Sequence, residues 1–256
     1  MKPIANTVDD LFQPRELAED EYLNEADGLI YCSKCHTPRQ HHIELKERVF
    51  LPTVRCRCQQ EEYDKEEAER KHQEFLMQVS RLKANGLQDK SLHDYNFSND
   101  KGYNPEMQKA HDYVAHWEEM KANSLGLLLW GDVGTGKSFF AGCIANALLD
   151  KGIPVLMTNF SRILNTLTGM YSDDRSQFID SFNKYSLLII DDLGIERSSE
   201  FALEQVFNVI DSRYRSKKPL IVTTNLTLDE LKHPKDLARA RIYDRVLERC
   251  VPLKIN

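Results

Sequence analysis

The chain has 256 residues, of which 41% are hydrophobic and 29% are charged, and its formal net charge is −6. This composition is that of an ordinary globular protein of one large and one small domain, with no apolar run long enough to cross a bilayer, so we expect no membrane partner. The negative charge argues against a protein that coats DNA, because nonspecific DNA affinity comes from many contacts between basic side chains and phosphates. Any contact with DNA is therefore expected to be local.

The amino-terminal end divides by charge into an acidic arm, residues 1–27, and a basic segment, residues 28–58. The arm holds eight acidic and two basic residues, whereas the segment holds six basic and two acidic residues. Both could be simple solvated surfaces, and of the two the basic segment is the better candidate for a nucleic-acid face. The first ten residues contain no apolar core of a secretory signal, which predicts a cytoplasmic protein whose thiols stay reduced.

Four cysteines in the basic segment form two close pairs, Cys32-x-x-Cys35 and Cys56-x-Cys58. Two such pairs can supply the four thiolates of a tetrahedral, structural Zn²⁺ site. Unliganded thiols would leave this short segment without an obvious core, which favours the metal. One thiolate could be replaced by a histidine between the pairs, namely His36, His41 or His42.

A charged stretch without Gly or Pro follows, from Gln59 to Lys83, and its interleaved opposite charges favour an exposed helix. We interpret residues 59–86 as a helical linker. From residue 87 to 256, short apolar strands alternate with helical stretches, which is typical of a parallel sheet covered by helices. Such apolar runs suit strands buried on both faces. The five predicted strands are residues 125–130, 154–158, 187–191, 220–224 and 251–255.

The segment after the first predicted strand reads Gly-Asp-Val-Gly-Thr-Gly-Lys-Ser, residues 131–138. It fits the P-loop pattern G-x-x-x-x-G-K-[ST] in the strand-to-helix setting that this pattern requires. Its glycines let backbone amides converge on phosphate oxygens, and the helix adds its positive end. We expect Lys137 to neutralise the β and γ phosphates of ATP, and Ser138 to bind Mg²⁺, which prefers oxygen ligands. The predicted nucleotide-binding residues are Gly131, Asp132, Val133, Gly134, Thr135, Gly136, Lys137, Ser138 and Phe139.

Polar side chains end two further predicted strands. The apolar run from Leu187 ends in Asp191 and Asp192. In P-loop enzymes a strand-end aspartate holds the magnesium ion, so Asp191 takes that role and Asp192 becomes the candidate that polarises the attacking water. Asp192 could instead cap the following turn. Asn225 ends the fourth strand and could orient the same water, although asparagine also ends strands for reasons of turn geometry.

Three arginines recur every four residues near the end of the chain, at Arg241, Arg245 and Arg249. This spacing places them along one face of a helix, from which an arginine can reach the γ-phosphate bound by a neighbouring subunit. Alternatively, the arginines pair on the surface with Asp244 and Glu248.

The order of the motifs GDVGTGKS, LLIIDDLG, TTN and RIYDRVLERC resembles that of AAA+ ATPases of the DnaC/DnaI helicase-loader type. The resemblance starts at about residue 90 and includes the phrase ID-x-RY at residues 210–214. The cysteine-bearing segment also resembles that of DnaI-type loaders. The resemblance implies an AAA+ core, residues 87–256, that binds and hydrolyses ATP with Mg²⁺. It also implies a hexameric replicative helicase and single-stranded DNA as partners.

The same resemblance implies roles by position. Lys137 and Ser138 match the Walker A pair, Asp191 and Asp192 the Walker B pair, and Asn225 sensor 1. Arg245 is the first choice and Arg241 the second for a finger that acts on a neighbour, which implies self-assembly through the ATP sites. Residues 165–184 take the place of the extra helix that lies near DNA in initiator and loader ATPases. An IstB-type helper of transposases, and an adaptor that binds ATP without turnover, remain as alternatives.

Three features depart from the family pattern. Asp192 stands where many AAA+ proteins have Glu, and its shorter arm predicts slow hydrolysis. Little sequence is present for a helical lid domain, and the chain stops at Asn256, before the tail that carries a further phosphate-sensing arginine in relatives. Ahead of the core, three aromatic residues could pack either near adenine or in the ordinary core: Tyr95, Phe97 and Tyr103.

Overall fold

A computed structural model of the chain describes residues 16–45, 48–194 and 199–256. The backbone forms two compact units, residues 1–74 and residues 75–256, which we describe separately. Most of the acidic arm predicted for residues 1–27 lies outside the described residues. None of the described helices combines the length and the apolar character that a membrane span requires.

The first unit contains two short antiparallel hairpins. Strand β1 (Glu21–Leu23) pairs with β2 (Ile30–Cys32), and β3 (Ile43–Leu45) pairs with β4 (Arg48–Phe50). The first hairpin crosses the predicted domain boundary at residue 27. Helix α1 (Arg57–Gly86) begins between Cys56 and Cys58 and includes the whole predicted helical stretch, and its residues from 75 onwards belong to the second unit.

The second unit contains a five-stranded parallel sheet, which confirms the predicted fold class. The strands are β5 (Gly126–Trp130), β6 (Val155–Asn159), β7 (Leu187–Leu193), β8 (Leu220–Thr224) and β9 (Cys250–Lys254). Observed and predicted strand ends differ by at most two residues. In space the order is β6-β7-β8-β5-β9, so β8 lies between β5 and β7.

Helices cover both faces of the sheet and bury two apolar clusters. Alternate strand residues point to opposite faces, so that Leu128 and Leu188 belong to one cluster and Leu129 and Leu187 to the other. The first cluster contains α5 (Phe160–Thr168), α6 (Ser172–Ser181), α7 (Glu200–Arg215), α8 (Leu228–Lys232) and α9 (Leu237–Arg249). The second contains α2 (Met107–Ala115), α3 (Trp117–Ala122) and α4 (Lys137–Asp150).

A buried arginine holds α7 against the amino-terminal ends of two strands. Arg213 is 1% exposed. Its guanidinium donates to the carbonyl oxygens of Tyr185 (3.0 Å), Ser186 (2.8 Å) and Pro219 (2.7 Å). These carbonyls precede β7 and β8, and that of Pro219 also accepts the backbone N–H of Leu188 at 3.4 Å. Arg213 therefore supplies charged donors to carbonyl oxygens at the start of both strands.

We predict that Arg213→Met lowers the free energy of unfolding by about 2 to 4 kcal/mol, because buried carbonyl oxygens lose a charged donor. Arg215→Met is the matched control. Its side chain is 74% exposed and pairs with Asp211, so its loss should cost less than about 1 kcal/mol. Urea unfolding followed by circular dichroism measures both values, and equal losses in the two variants would contradict this role of Arg213.

Candidate functional site

The site lies at the carboxyl edge of the sheet, where β5, β7 and β8 end. The loop after β5 holds the predicted phosphate-binding residues, and β7 ends in the two predicted acids. Because β8 separates these strands, its last residues lie between the loop and the acids. Ligands of open parallel sheets commonly bind at this edge, beside a point where the strand order reverses.

The loop of residues 131–138 has the backbone conformation that its glycines predict. Gly136 has a φ of +87° and immediately precedes α4, a conformation that is strained for other residues. At Gly131, a Cβ atom would lie 2.2 Å from the carbonyl oxygen of Ile255. The loop therefore folds tightly over the end of the sheet and leads directly into the positive end of α4.

Lys137 is folded back onto this loop. Its ammonium group donates to the carbonyl oxygens of Gly131 (3.0 Å) and Asp132 (2.6 Å), and the residue as a whole is 5% exposed. Burial lowers the pKa of Lys137, while the nearby carboxylates of Asp192 and Asp191 act in the opposite direction. The two backbone carbonyls are weak partners for a buried cation, and phosphate oxygens are stronger ones.

Ser138 and Asp191 lie in contact, as the predicted magnesium site requires. The Ser138 hydroxyl donates to Asp191 Oδ1 at 2.9 Å. A second hydroxyl, that of Thr223 on β8, donates to the same oxygen at 2.6 Å. The P-loop helix and the ends of β7 and β8 are thus joined through one carboxylate oxygen.

Asp192 lies in a β-bulge at the end of β7. Its φ is +60°, a left-handed conformation that aspartate tolerates better than most residues. Burial and the neighbouring charge of Asp191 raise the pKa of Asp192, and Lys137 partly offsets this effect. Asn225 follows β8 directly and is exposed.

A cavity of about 360 Å³ lies beside the phosphate loop. Of the three aromatic residues considered above, Tyr103 lines this cavity, together with Met107, Phe139 and Gly136. Tyr95 packs against Phe139, with ring centroids 5.5 Å apart. Phe97 is half-buried against the second apolar cluster, and its ring stacks on the exposed ring of His111, with centroids 3.8 Å apart.

The three arginines on α9 have different surroundings. Arg245 donates to Asp211 on α7 at 2.7 Å, and its guanidinium lies 4.5 Å from the ring centroid of Phe207. Arg249 lies 4.6 Å from the ring centroid of Tyr214. Arg241 is exposed. The ion-pair partner of Arg245 is therefore on another helix, rather than at Asp244 or Glu248.

The four amino-terminal cysteines converge in the first unit. Their sulfur atoms all lie within 4.8 Å of one another, and no histidine of the described residues joins the group. Cys56 and Cys58 are 3.3 Å apart, and Cys32 and Cys58 are 3.6 Å apart. A tetrahedral zinc ion with Zn–S bonds of about 2.3 Å requires S–S distances of about 3.8 Å. The observed spacing therefore fits such an ion.

Donors around the sulfurs also favour thiolates. The Thr37 hydroxyl lowers the pKa of Cys35 to about 5, and the backbone N–H of Cys35 lowers that of Cys32. Arg39, which is 5% exposed, donates to Cys32 Sγ at 3.5 Å. The neighbouring thiols, Cys56 first, raise the pKa of Cys58 to about 12. A bound cation would stabilise the thiolates and so oppose this rise in the pKa of Cys58.

Two functional contacts were not predicted from the sequence, one at the site and one at the arginine candidate. Thr223 contacts both strand-end acids, and the Thr-Thr pair before Asn225 is the available signal. Asp211, which belongs to the ID-x-RY phrase, pairs with Arg245 away from the sheet edge. Neither contact can be read from spacing along the chain, because each joins elements more than thirty residues apart.

Comparison with known proteins gives relatives of this chain. The replicative helicase loader DnaC of Escherichia coli (strain K12) is 28% identical over 143 residues, which cover 55% of this chain and 56% of the relative. The replicative helicase loader DnaI of Bacillus subtilis (strain 168) is 24% identical over 160 residues, covering 58% and 51%. The chain thus spans about half the length of the curated relatives it matches.

A solved structure supports the fold. The crystal structure of DnaI superimposes with a TM-score of 0.53 and 22% identity, covering 66% of this chain and 91% of that one. A family model described as "IstB-like ATP binding protein" matches residues 57–256. Together with the P-loop and the adjoining acids, this match shows that the chain belongs to the family of IstB-like ATP-binding proteins.

Proposed function

We propose that this protein is an ATPase that loads a hexameric replicative helicase onto DNA. The observation that carries the proposal is the contact between Ser138 and Asp191, which brings the phosphate loop and the strand-end acid to one place. The relatives DnaC and DnaI are both replicative helicase loaders, and this supports helicase loading as the biological role.

In the proposed reaction, each residue at the sheet edge has a separate role. Lys137 exchanges the carbonyls of Gly131 and Asp132 for the β and γ phosphates of ATP, and Ser138 and Asp191 hold Mg²⁺. Asp192 accepts a hydrogen bond from the attacking water, and Asn225 orients that water. The raised pKa of Asp192 makes it a better acceptor for the water proton than an ordinary aspartate. Its short side chain supports slow turnover, which suits a switch.

The base of the nucleotide is proposed to occupy the cavity beside the loop. The cavity combines apolar surfaces from Met107 and Phe139 with the polar side chain of Asn104. The buried amide nitrogen of Asn104 has no partner among the described residues. Such a mixture of apolar walls and few polar groups is typical of sites for small ligands.

Single-stranded DNA is proposed as a second partner, bound near residues 165–184. These residues form the end of α5, all of α6 and the following short turn. Tyr171, between the two helices, is 86% exposed. An exposed aromatic ring of this kind can stack on a nucleotide base without regard to sequence.

Zn²⁺ is proposed to hold the first unit together through Cys32, Cys35, Cys56 and Cys58. A site with four protein ligands is closed, so the metal would stabilise a surface rather than take part in chemistry. The unit would then present the surface that grips the helicase. A reducing cytoplasm keeps these thiols available as ligands.

Two other functions are considered beside the loader. The matched family model is described as an IstB-like ATP binding protein, and a transposase helper of the IstB type would act on duplex DNA. An adaptor would bind ATP and a partner protein without turnover. The cysteine site supports the loader, because it provides a separate binding unit outside the ATPase core.

We predict that phosphate release from ATP rises when single-stranded DNA and the cognate hexameric helicase are both added. Lys137→Ala should reduce release to background, because the γ-phosphate loses its counter-charge. Lys109→Ala on the exposed side of α2 is the control. Stimulation by duplex DNA without helicase would favour the transposase helper, and helicase binding without phosphate release would favour the adaptor. The loader proposal would be refuted if the protein did not bind the helicase and its phosphate release were not stimulated.

Metal analysis should find about one zinc per chain in freshly purified, reduced protein. Cys35→Ser should lower this content and unfold the first unit, because zinc binding supplies folding free energy in small units. Cys143→Ser, which alters a buried cysteine in α4, should leave the zinc content unchanged. Metal-free wild-type protein that retains its amino-terminal fold would contradict the site.

Arg245 is the proposed arginine finger, which acts on the ATP site of a neighbouring subunit. Arg245→Ala should abolish ATP hydrolysis in the assembled protein, and mixing this variant with Lys137→Ala subunits should restore part of the hydrolysis. The restoration follows if each ATP site lies between two subunits. Asp211→Asn is the control, since it breaks the ion pair of Arg245 but keeps the guanidinium. Full activity of Arg245→Ala would exclude this residue, and loss in Arg241→Ala would then assign the role to the second choice.

A further inference from the structure

The two acids at the end of β7 face a single residue of β8. Ile190 pairs with Val222 and Leu193 pairs with Thr224, so Asp191 and Asp192 together lie opposite Thr223. Two residues opposite one define a β-bulge, a feature that redirects side chains beside active sites. The bulge interrupts the regular ladder, so the backbone N–H groups within it need other partners.

Thr223 meets this need with one buried hydroxyl. Thr223 is fully buried, and its hydroxyl accepts the backbone N–H of Asp192 at 2.9 Å. Since an N–H group can only donate, the hydroxyl proton is left for the carboxylate of Asp191, 2.6 Å away. The direction of both hydrogen bonds is therefore fixed. One side chain holds the carboxylate of the first acid and the backbone of the second.

We propose that Thr223 is a positioning residue that sets the geometry of both Asp191 and Asp192 for ATP hydrolysis. This inference rests on the proposed ATPase function. Asp192 adopts a left-handed φ of +60°, and the hydrogen bond to its N–H stabilises that conformation. The β-branched side chain of Thr223 has few rotamers, which keeps its hydroxyl in place.

The contact of Thr223 differs from that of Ser138, although both hydroxyls donate to Asp191 Oδ1. Ser138 belongs to the loop that nucleotide and Mg²⁺ would engage, so its hydroxyl is expected to change partner on binding. Thr223 lies within the sheet and has no exposed surface. Its bond to Asp191 is therefore the one that does not depend on the ligand.

Thr224 provides a matched control on the same strand. It is also fully buried, and its hydroxyl donates to the carbonyl oxygen of Leu193 and accepts the N–H of Leu226. It contacts backbone groups and neither acid. Thr224→Val therefore removes a buried hydroxyl of the same kind without touching the acids.

The test compares Thr223→Val, Thr223→Ser and Thr224→Val in the full-length protein with helicase and single-stranded DNA. We expect Thr223→Val to lower kcat about 10- to 100-fold, as for the loss of a hydrogen bond to a charged group, with KM changed less than about threefold. Thr223→Ser keeps the hydroxyl and should recover most of kcat. Thr224→Val should keep kcat within about threefold at equal folded fraction.

Amide hydrogen exchange gives a second readout that does not require activity. The N–H of Asp192 should exchange slowly in the wild-type protein and faster in Thr223→Val, but not in Thr224→Val. Equal kcat losses in the two valine variants, or a rapidly exchanging Asp192 amide in the wild type, would overturn the inference. The exchange result holds even if the wild-type protein hydrolyses no ATP, an outcome that would instead refute the proposed function.

Discussion

The carboxylate of Asp191 is the point on which the site depends. Its Oδ1 atom accepts hydrogen bonds from Ser138 on α4 and from Thr223 on β8. These bonds join three elements that are distant in the chain. The elements are close in space because β8 lies between β5 and β7 in the sheet. The strand order therefore creates the site: with β5 beside β7, no residue of β8 would lie between the loop and the acids. Lys137 completes the arrangement as a buried cation whose hydrogen bonds, among the described residues, go to two backbone carbonyls and a threonine hydroxyl.

The same sheet is held at its opposite edge by residues of the ID-x-RY phrase. Arg213 binds the carbonyls that precede β7 and β8, while Asp211 pairs with Arg245 and the Tyr214 hydroxyl donates to Glu248. The phrase thus connects α7 to the sheet and to α9. These residues were singled out by resemblance to a family. Their contacts give them a structural role, since they hold α7 in place. A finger role for Arg245 requires that its guanidinium leave Asp211, so assembly would exchange one anionic partner for another.

Much of the fold follows from the sequence, because buried parallel strands are continuous apolar runs bounded by polar residues. All five strands were predicted within two residues, and β8 (Leu220–Thr224) was predicted at both ends. The glycines and the Lys-Ser pair also identify the phosphate loop, since few other functions require that spacing. The bulge at Asp191 and Asp192 could not be predicted, because it depends on the register with β8. The partner of Arg245 was missed for a similar reason: helical periodicity gives the face but not the neighbouring helix.

If this loop and these acids bind the triphosphate and its metal, a crystal structure with a non-hydrolysable ATP analogue and Mg²⁺ will show them in contact with the ligand. We expect Lys137 Nζ to leave the carbonyls of Gly131 and Asp132 for phosphate oxygens. The Ser138 hydroxyl should turn from Asp191 to the metal while Thr223 keeps its bond. A nucleotide bound elsewhere, or a Lys137 still bonded to its own loop beside bound phosphates, would rule out this site.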